Sequence, residues 1–305
     1  MYNAFLYLTT VLIWGSTWLA IKFQLGVISP ELSIAYRFGL AALILIVFSL
    51  IRRLQMGFSL KIHGFFALQG LLLFSLNYLL VYLAEGYLTS GLVAIIFSLI
   101  IVLNVFFGAI LLGNPVRTRA MIGAGLGLMG LAFVFWPELS SLSLSSQKTV
   151  GVVLALIATI SASLGNVISA RNQRHELPVV QTNAYGMLYG ALFMLVFALL
   201  RGTQLQFDTS PSYILSLFYL AIFGSVIAFG SYLTLLGRIG LDRAAYVTVL
   251  FPVIALMLST IFEDLSWGIF QLLGVLLIFL GNAVVVTKKG RFSIRKIIPG
   301  DSVPN

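Results

Sequence analysis

Apolar residues run in ten stretches along the chain, at about residues 4–23, 31–51, 64–84, 91–112, 119–136, 150–170, 180–200, 212–235, 244–262 and 266–287. A helix needs roughly 20 mostly apolar residues to cross the hydrocarbon core. Unsatisfied peptide groups are so costly in lipid that only helices or closed barrels span it. Barrel strands are only about 9–11 residues long and alternate in polarity. The stretches are about twice that length and do not alternate. The pattern therefore predicts an all-α polytopic membrane protein with ten transmembrane helices.

The polar breaks add a second level. The longest serine-rich connection, residues 137–148 (PELSSLSLSSQK), divides the stretches five and five. Gly123 and Gly130 in the fifth stretch match Gly274 and Gly281 in the tenth. Ser29-Pro30 before the second stretch matches Leu177-Pro178 before the seventh, and Ala94 matches Ala245. Five is odd, so a second copy enters the membrane upside down, as in many secondary transporters. The expected domains are repeats at 3–136 and 150–287, then a basic cytoplasmic tail at 288–305. Gly123, Gly127 and Gly130 share one helix face, where small residues allow close packing or a homodimer contact.

Composition narrows the function. The chain is 60% hydrophobic and 9% charged, unlike any soluble domain. Ten spans leave only short loops and a tail, with no room for a nucleotide-binding domain, and no G-x-x-x-x-G-K-[ST] loop is present. There is no cysteine, hence no disulfide, thiolate chemistry or cysteine metal site. The sequence thus calls for no cofactor, no metal and no catalytic residue. The net charge of +9 does not require nucleic acid, because its distribution has another explanation. With the N-terminus inside, 14 Lys and Arg fall on the inner side and 3 on the outer. The positive-inside rule then predicts both termini in the cytoplasm and a multi-pass cell (inner) membrane location. The tail after Lys288 also suits an anionic lipid surface.

Several motifs, in order along the chain, resemble the EamA family of the drug/metabolite transporter superfamily. They are WGSTW (Trp14 to Trp18), Ser-Pro-Glu at 29–31 followed by YRF at 36–38, and YLAE (Tyr82 to Glu85) leading into SGLVA. LFP (Leu250 to Pro252), STIFE (Ser259 to Glu263) and the glycine-spaced closing stretch complete the likeness over residues 3–287. The resemblance implies two five-helix repeats, a central cavity, alternating access, and frequently export of metabolites, amino acids or drug-like compounds. Many relatives carry Pro where Ile101 stands and Gly-Glu where Gly113-Asn114 stands, whereas the second repeat keeps Pro252 and Glu263. The first repeat is therefore expected to lack a kink and an acidic group.

Candidate transport residues follow from chemistry that is out of place in lipid. Arg37 is the only charge well inside a span, and a charge at depth is a functional candidate by default. It either binds an anionic substrate group or pairs with Glu85. Glu85 shares a face with Tyr78 and Tyr82 and is the best candidate for proton coupling. Trp14 and Trp18 flank Ser16 and Thr17 halfway along the first stretch, where they either line a pocket or pack helices. Asn77, Asn104, Asn166 and Tyr232 join the candidate substrate-binding set, with interhelical bonding as the plainer role. Pro252 removes one helix hydrogen bond and is either a hinge or a static kink. His63, His175, Glu263 and Asp264 are expected at solvated helix ends. The leading function is a secondary transporter of small molecules in a lipid bilayer. The alternative is a membrane-embedded lipid-modifying enzyme, which lacks an H-E-x-x-H or paired-acid motif. A selective ion channel lacks rings of charge.

Overall fold

A computed structural model of the chain describes residues 2–114, 116, 118–134, 136, 147–244, 247–263 and 267–286. Helix occupies every one of the ten stretches: α1 (Tyr2–Lys22), α2 (Pro30–Ile51), α3 (Leu60–Glu85), α4 (Ser90–Leu112), α5 (Thr118–Val134), α6 (Gln147–Arg174), α7 (Val179–Leu200), α8 (Pro211–Ile239), α9 (Val247–Phe262) and α10 (Ile269–Val286). Among the described residues there is no strand. α1 to α4 and α6 to α8 are seven helices long and apolar enough to cross a membrane. α5, α9 and α10 have 17, 16 and 18 residues. The fold is that of an all-α polytopic membrane protein. Most of the serine-rich connection, the tail after Lys288, Ala245 and Asp264 lie outside the described residues.

Local chemistry sets the helix ends. Pro30 opens α2 and Pro211 opens α8, where a missing N–H costs nothing. The Thr89 and Ser210 hydroxyls cap α4 and α8, accepting from the amides of Leu92 and Tyr213, each at 3.4 Å. Gly113 ends α4 in the left-handed region at φ 68°.

The two halves repeat these details. α2 and α7 both close with a six-residue loop bond, Leu54 N to Ser49 O at 2.8 Å and Thr203 N to Ala198 O at 2.9 Å. Both loops pass through a positive φ, at Arg53 and Gly202. α3 and α8 both widen into π-helix, at Leu72–Leu76 and Leu220–Ile227. The packing is exchanged between halves. α1 lies against α8 and α9, while α6 lies against α3 and α4; α2 packs on α7 and α5 on α10.

Glycine makes the α5–α10 pair possible. A Cβ on Gly130 would sit 2.6 Å from the carbonyl oxygen of Gly274 and 2.8 Å from the amide nitrogen of Ile278. A Cβ on Gly281 would sit 2.7 Å from the carbonyl oxygen of Gly123. The glycine face of α5 is therefore packed against α10 of the same chain, the close packing that its small residues allow. Gly70 does the same for α3 on α7, since its Cβ would collide with the carbonyl oxygen of Gly186.

The expected loss of a kink in the first repeat is corrected. α4 breaks at Ser98–Leu99 without proline, between helical runs Ser90–Phe97 and Ile100–Leu112. The Ser98 hydroxyl donates to the Ile95 carbonyl at 2.6 Å, and Ser98 N and Leu99 N reach carbonyls three residues back. A serine bonding backwards competes with the helix ladder and bends it. α9 runs as helix through Pro252.

Gly70→Ala is expected to destabilise the protein by about 1–3 kcal/mol, as overpacking does. Gly64→Ala on the same helix, where a Cβ meets nothing within 4 Å, is expected to be neutral or stabilising by up to ~1 kcal/mol. Thermal unfolding of the two variants in detergent checks the contrast.

Candidate functional site

Six helices, α1, α3 and α4 from the first half and α6, α8 and α9 from the second, surround a cavity with about 560 Å³ of space free of atoms. α1 presents Trp14, Thr17, Trp18 and Ile21, one face at helical spacing. α3 presents Leu73, Asn77, Tyr78 and Val81 in the same way. Phe97 and Ile100 flank the α4 break; Ala162 and Asn166 come from α6, Phe229 and Tyr232 from α8, and Thr248 and Phe251 from α9. The wall is aromatic. Trp18 stacks on Phe251 at 5.7 Å, and Trp14 meets Phe229 at 4.9 Å and Tyr232 at 4.8 Å. The Trp14 indole N–H donates to the Gly224 carbonyl at 3.3 Å. None of these lining residues is charged.

A polar pole interrupts the aromatics. The Ser163 hydroxyl donates to Asn104 Oδ1 at 2.8 Å, and Asn166 Nδ2 reaches that oxygen at 3.5 Å and the Tyr232 hydroxyl at 3.4 Å. Asn77 Nδ2 donates to the Leu73 carbonyl at 3.2 Å. These bonds orient both cavity amides with an oxygen to spare, since Asn77 Oδ1 and Asn166 Oδ1 accept no hydrogen bond from the protein.

Arg37 lies behind this wall, 1% exposed. Its Nε donates to the Ser225 hydroxyl oxygen at 3.0 Å, and Ser225 donates in turn to the Leu220 carbonyl five residues back at 2.9 Å. The π-helix thus supplies the acceptor, a common use of such turns at functional sites. The guanidinium carbon sits 4.5 Å from the centre of the Tyr78 ring, a cation–π contact, and Nη2 lies 3.4 Å from the Tyr78 hydroxyl. Nη1 has no partner. A Cβ on Gly224 would lie 2.8 Å from Thr17 Cγ2 and 3.3 Å from Arg37 Nη2, so the glycine lets the guanidinium reach the cavity wall. The expected pairing of Arg37 with Glu85 is not formed: among the described residues no ion pair within 4.0 Å joins them. Glu85 is 1% exposed and neither carboxylate oxygen accepts a hydrogen bond.

The structure thus gathers Trp14, Thr17, Trp18, Asn77, Tyr78, Asn166 and Tyr232 at one cavity, with Arg37 touching Tyr78 and Asn104 bonded to Asn166. It leaves others outside. The Ser16 hydroxyl bonds Tyr219 OH at 2.6 Å, and the Tyr82 hydroxyl donates to Gln24 Oε1 at 2.8 Å. Pro252 is not in the wall, although the adjacent Phe251 is. Phe97, Phe229, Thr248 and Phe251 carried no signal in a chain with 24 phenylalanines. His63 is not simply solvated, because its Nδ1 lies 2.9 Å from Tyr189 OH.

Glu263 is the larger surprise. It is not a solvated loop acid but a half-buried cap between the halves. Its carboxylate accepts from the Ser90 amide at 3.1 Å and from the hydroxyls of Ser90 and Ser259. It thus seats a negative charge on the N-terminus of α4, where the helix dipole favours it. Lys22 Nζ stands 3.5 Å away and donates to the carbonyls of Glu85 and Leu88 at the end of α3. Burial pushes the Glu263 pKa up, but the Ser259 and Ser90 bonds and the Lys22 charge outweigh it, and the net value is lowered.

The EamA-like transporter family model matches residues 1–136 and 149–287, two segments of one kind. YedA, an uncharacterised inner membrane transporter of Escherichia coli K12, is 30% identical over 92% of this chain and 89% of its own length. A probable amino-acid metabolite efflux pump of the same organism is 25% identical over 90% of this chain and 91% of its own. A crystal structure with a TM-score of 0.69 and 20% identity covers 92% of this chain and 95% of its own, a likeness of fold.

Glu263→Gln is expected to lower stability by about 1 kcal/mol, the size of a lost helix cap. The carboxylate's pKa is depressed on folding, so its contribution is present above the ordinary value of 4.5 and is lost as pH falls through the lower folded value. Thermal unfolding of the protein and the variant should therefore differ at neutral pH and converge only in acid below 4.5.

Proposed function

The chain belongs to the EamA-like transporter family, and on that premise we propose that it exports small zwitterionic organic metabolites, amino acids foremost, by alternating access of two inverted repeats. It is a membrane transporter and not an enzyme. The observation that carries the substrate reading is Arg37, a buried guanidinium with no acid among the described residues within 4.0 Å, beside an aromatic cavity whose free polar atoms include the amide oxygens of Asn77 and Asn166. A buried cation lacking a partner is costly, and a substrate carboxylate at Nη1 offsets that cost. Asn77 Oδ1 and Asn166 Oδ1 are acceptors suited to an ammonium. Trp14, Trp18 and Phe251 suit an apolar or planar body. The probable amino-acid metabolite efflux pump among the relatives supports the same class.

The proposed setting is the inner membrane with both termini cytoplasmic. The basic residues on one side of the stretches support that orientation, and YedA supports the membrane. Glu85, buried without a hydrogen-bond partner, is the proposed proton carrier. Arg37 contacts Ser225 and Tyr78 instead of an acid, which leaves Glu85 free for that role. Pro252 and the Ser98–Leu99 break flank the cavity on α9 and α4 and are the proposed bending points.

Counterflow in proteoliposomes tests the substrate reading. Saturable exchange is expected for amino acids bearing large apolar side chains, and none across a broad solute panel overturns it. Arg37→Gln is expected to weaken a carboxylate solute by about 10–100-fold, the loss of one charged hydrogen bond, and to leave its amide derivative unchanged. Glu85→Gln is expected to abolish accumulation driven by a pH gradient while exchange persists.

A further inference from the structure

At one end of the cavity, four helix ends meet around a single ammonium. Ile21 of α1 lines the cavity and the next residue is Lys22; Val81 of α3 lines it and Glu85 follows one turn on. Lys22 Nζ holds the carbonyls of Glu85 and Leu88 and stands 3.5 Å from Glu263, which caps α4 from the end of α9. The contact ties α1, α3 and α4 of the first half to α9 of the second. Gly91 adds a bond, its amide donating to the Ser259 hydroxyl at 2.7 Å. The ammonium therefore joins the Glu263 carboxylate, which has a full set of donors, to the main chain at Glu85, whose own carboxylate has none. The charged groups facing Glu85 are Lys22 of α1, Glu263 after α9 and Arg37 of α2, and its titratable neighbours on α3 are Tyr82 and Tyr78.

We propose that Lys22, Glu263, Ser90 and Ser259 form the outer gate of the transporter, and that Glu85 controls it by competing with Glu263 for Lys22. With a proton on Glu85 the ammonium stays with Glu263 and the outer end is shut. When Glu85 loses its proton, an unpaired carboxylate at this depth draws Lys22 away, because a buried charge needs a partner. The α4 cap then loses its counter-ion and α9 separates from α3 and α4. Glu263 remains ionised throughout, since its donors keep its pKa low. The cycle suits export against protons: a proton arriving from outside on Glu85 closes the outer end, and its release inward permits reopening. The opposite end carries a weaker counterpart, Arg174 of α6 bonded to Asn114 at 2.7 Å and to the Leu112 carbonyl at 2.9 Å, a cation with a neutral partner exposed to water.

The inference rests on the alternating-access reading, but its test needs no solute. The chain has no cysteine, so Thr17→Cys in the cavity wall is a unique reporter. A membrane-impermeant thiol reagent is applied from outside to right-side-out vesicles, from about pH 5.5 to about pH 8. Thiol ionisation raises every rate alike, so rates are read as ratios to the Glu85→Gln background at each pH. The ratio is expected to rise at least about tenfold toward alkaline pH. In Glu263→Gln and Lys22→Met, labelling is expected to be fast even in acid. Labelling from the inner side should fall in the same variants, which distinguishes an open gate from an unfolded protein labelled from both sides. A ratio flat with pH overturns the proposal, as does a Glu263→Gln protein as unreactive in acid as its parent. If labelling behaves as expected while counterflow finds no solute, the gate stands and the substrate reading falls.

Discussion

The two halves hold together where glycine lets backbone touch backbone. Lipid is as apolar as leucine, so helices in a bilayer gain little from hydrophobic burial against one another. Close approach and satisfied polar groups must do that work. α3 meets α7 through Gly70 and Gly186, and α5 meets α10 through Gly123, Gly130, Gly274 and Gly281. The ring around the cavity takes α1, α3 and α4 from one half and α6, α8 and α9 from the other, so α3 is both a glycine-packed helix and part of the wall. The cavity is thus a consequence of where the chain packs most tightly.

Within that ring, polar chemistry is placed with economy. Three polar side chains in or behind the cavity wall spend some of their bonding capacity on a neighbour and keep one atom in reserve. Asn77 and Asn166 keep an oxygen and Arg37 keeps Nη1. A soluble protein fills such vacancies with protein partners or water, because an unmet buried group costs about 1–3 kcal/mol. A carrier gains from them, since the missing bonds are made only when a solute arrives. The π-helical turn of α8 serves the same end by turning Ser225 to hold one edge of the guanidinium while another stays free.

The cavity and the charged cluster at its end are mechanically continuous. Trp18 and Ile21 precede Lys22 on α1, and Val81 precedes Glu85 on α3. In the proposed gate, movement of Lys22 from Glu263 toward Glu85 therefore acts directly on the cavity walls. The break in α4 at Ser98–Leu99 lies beside Phe97 and Ile100, both in the cavity wall, which is why it is a proposed bending point. The break in α4 uses a serine in place of proline, whereas α9 runs as helix through Pro252.

Much of this was legible in the sequence. Length and hydropathy determined helix in all ten stretches, because lipid permits no other spanning structure for such runs. The rarity of charge at depth singled out Arg37, and residue types scarce in lipid singled out Asn77, Asn166 and the tryptophans. Pairings were another matter. Ser16 and Tyr82 looked like neighbours of the site and instead satisfy Tyr219 and Gln24. Glu263 and Lys22 looked like surface charges at unrelated helix ends 241 residues apart and instead meet. Helical periodicity specifies which residues share a face, but not which face another helix covers. That choice depends on backbone approach at particular glycines and on which buried polar atoms find partners, and only the tertiary structure decided it.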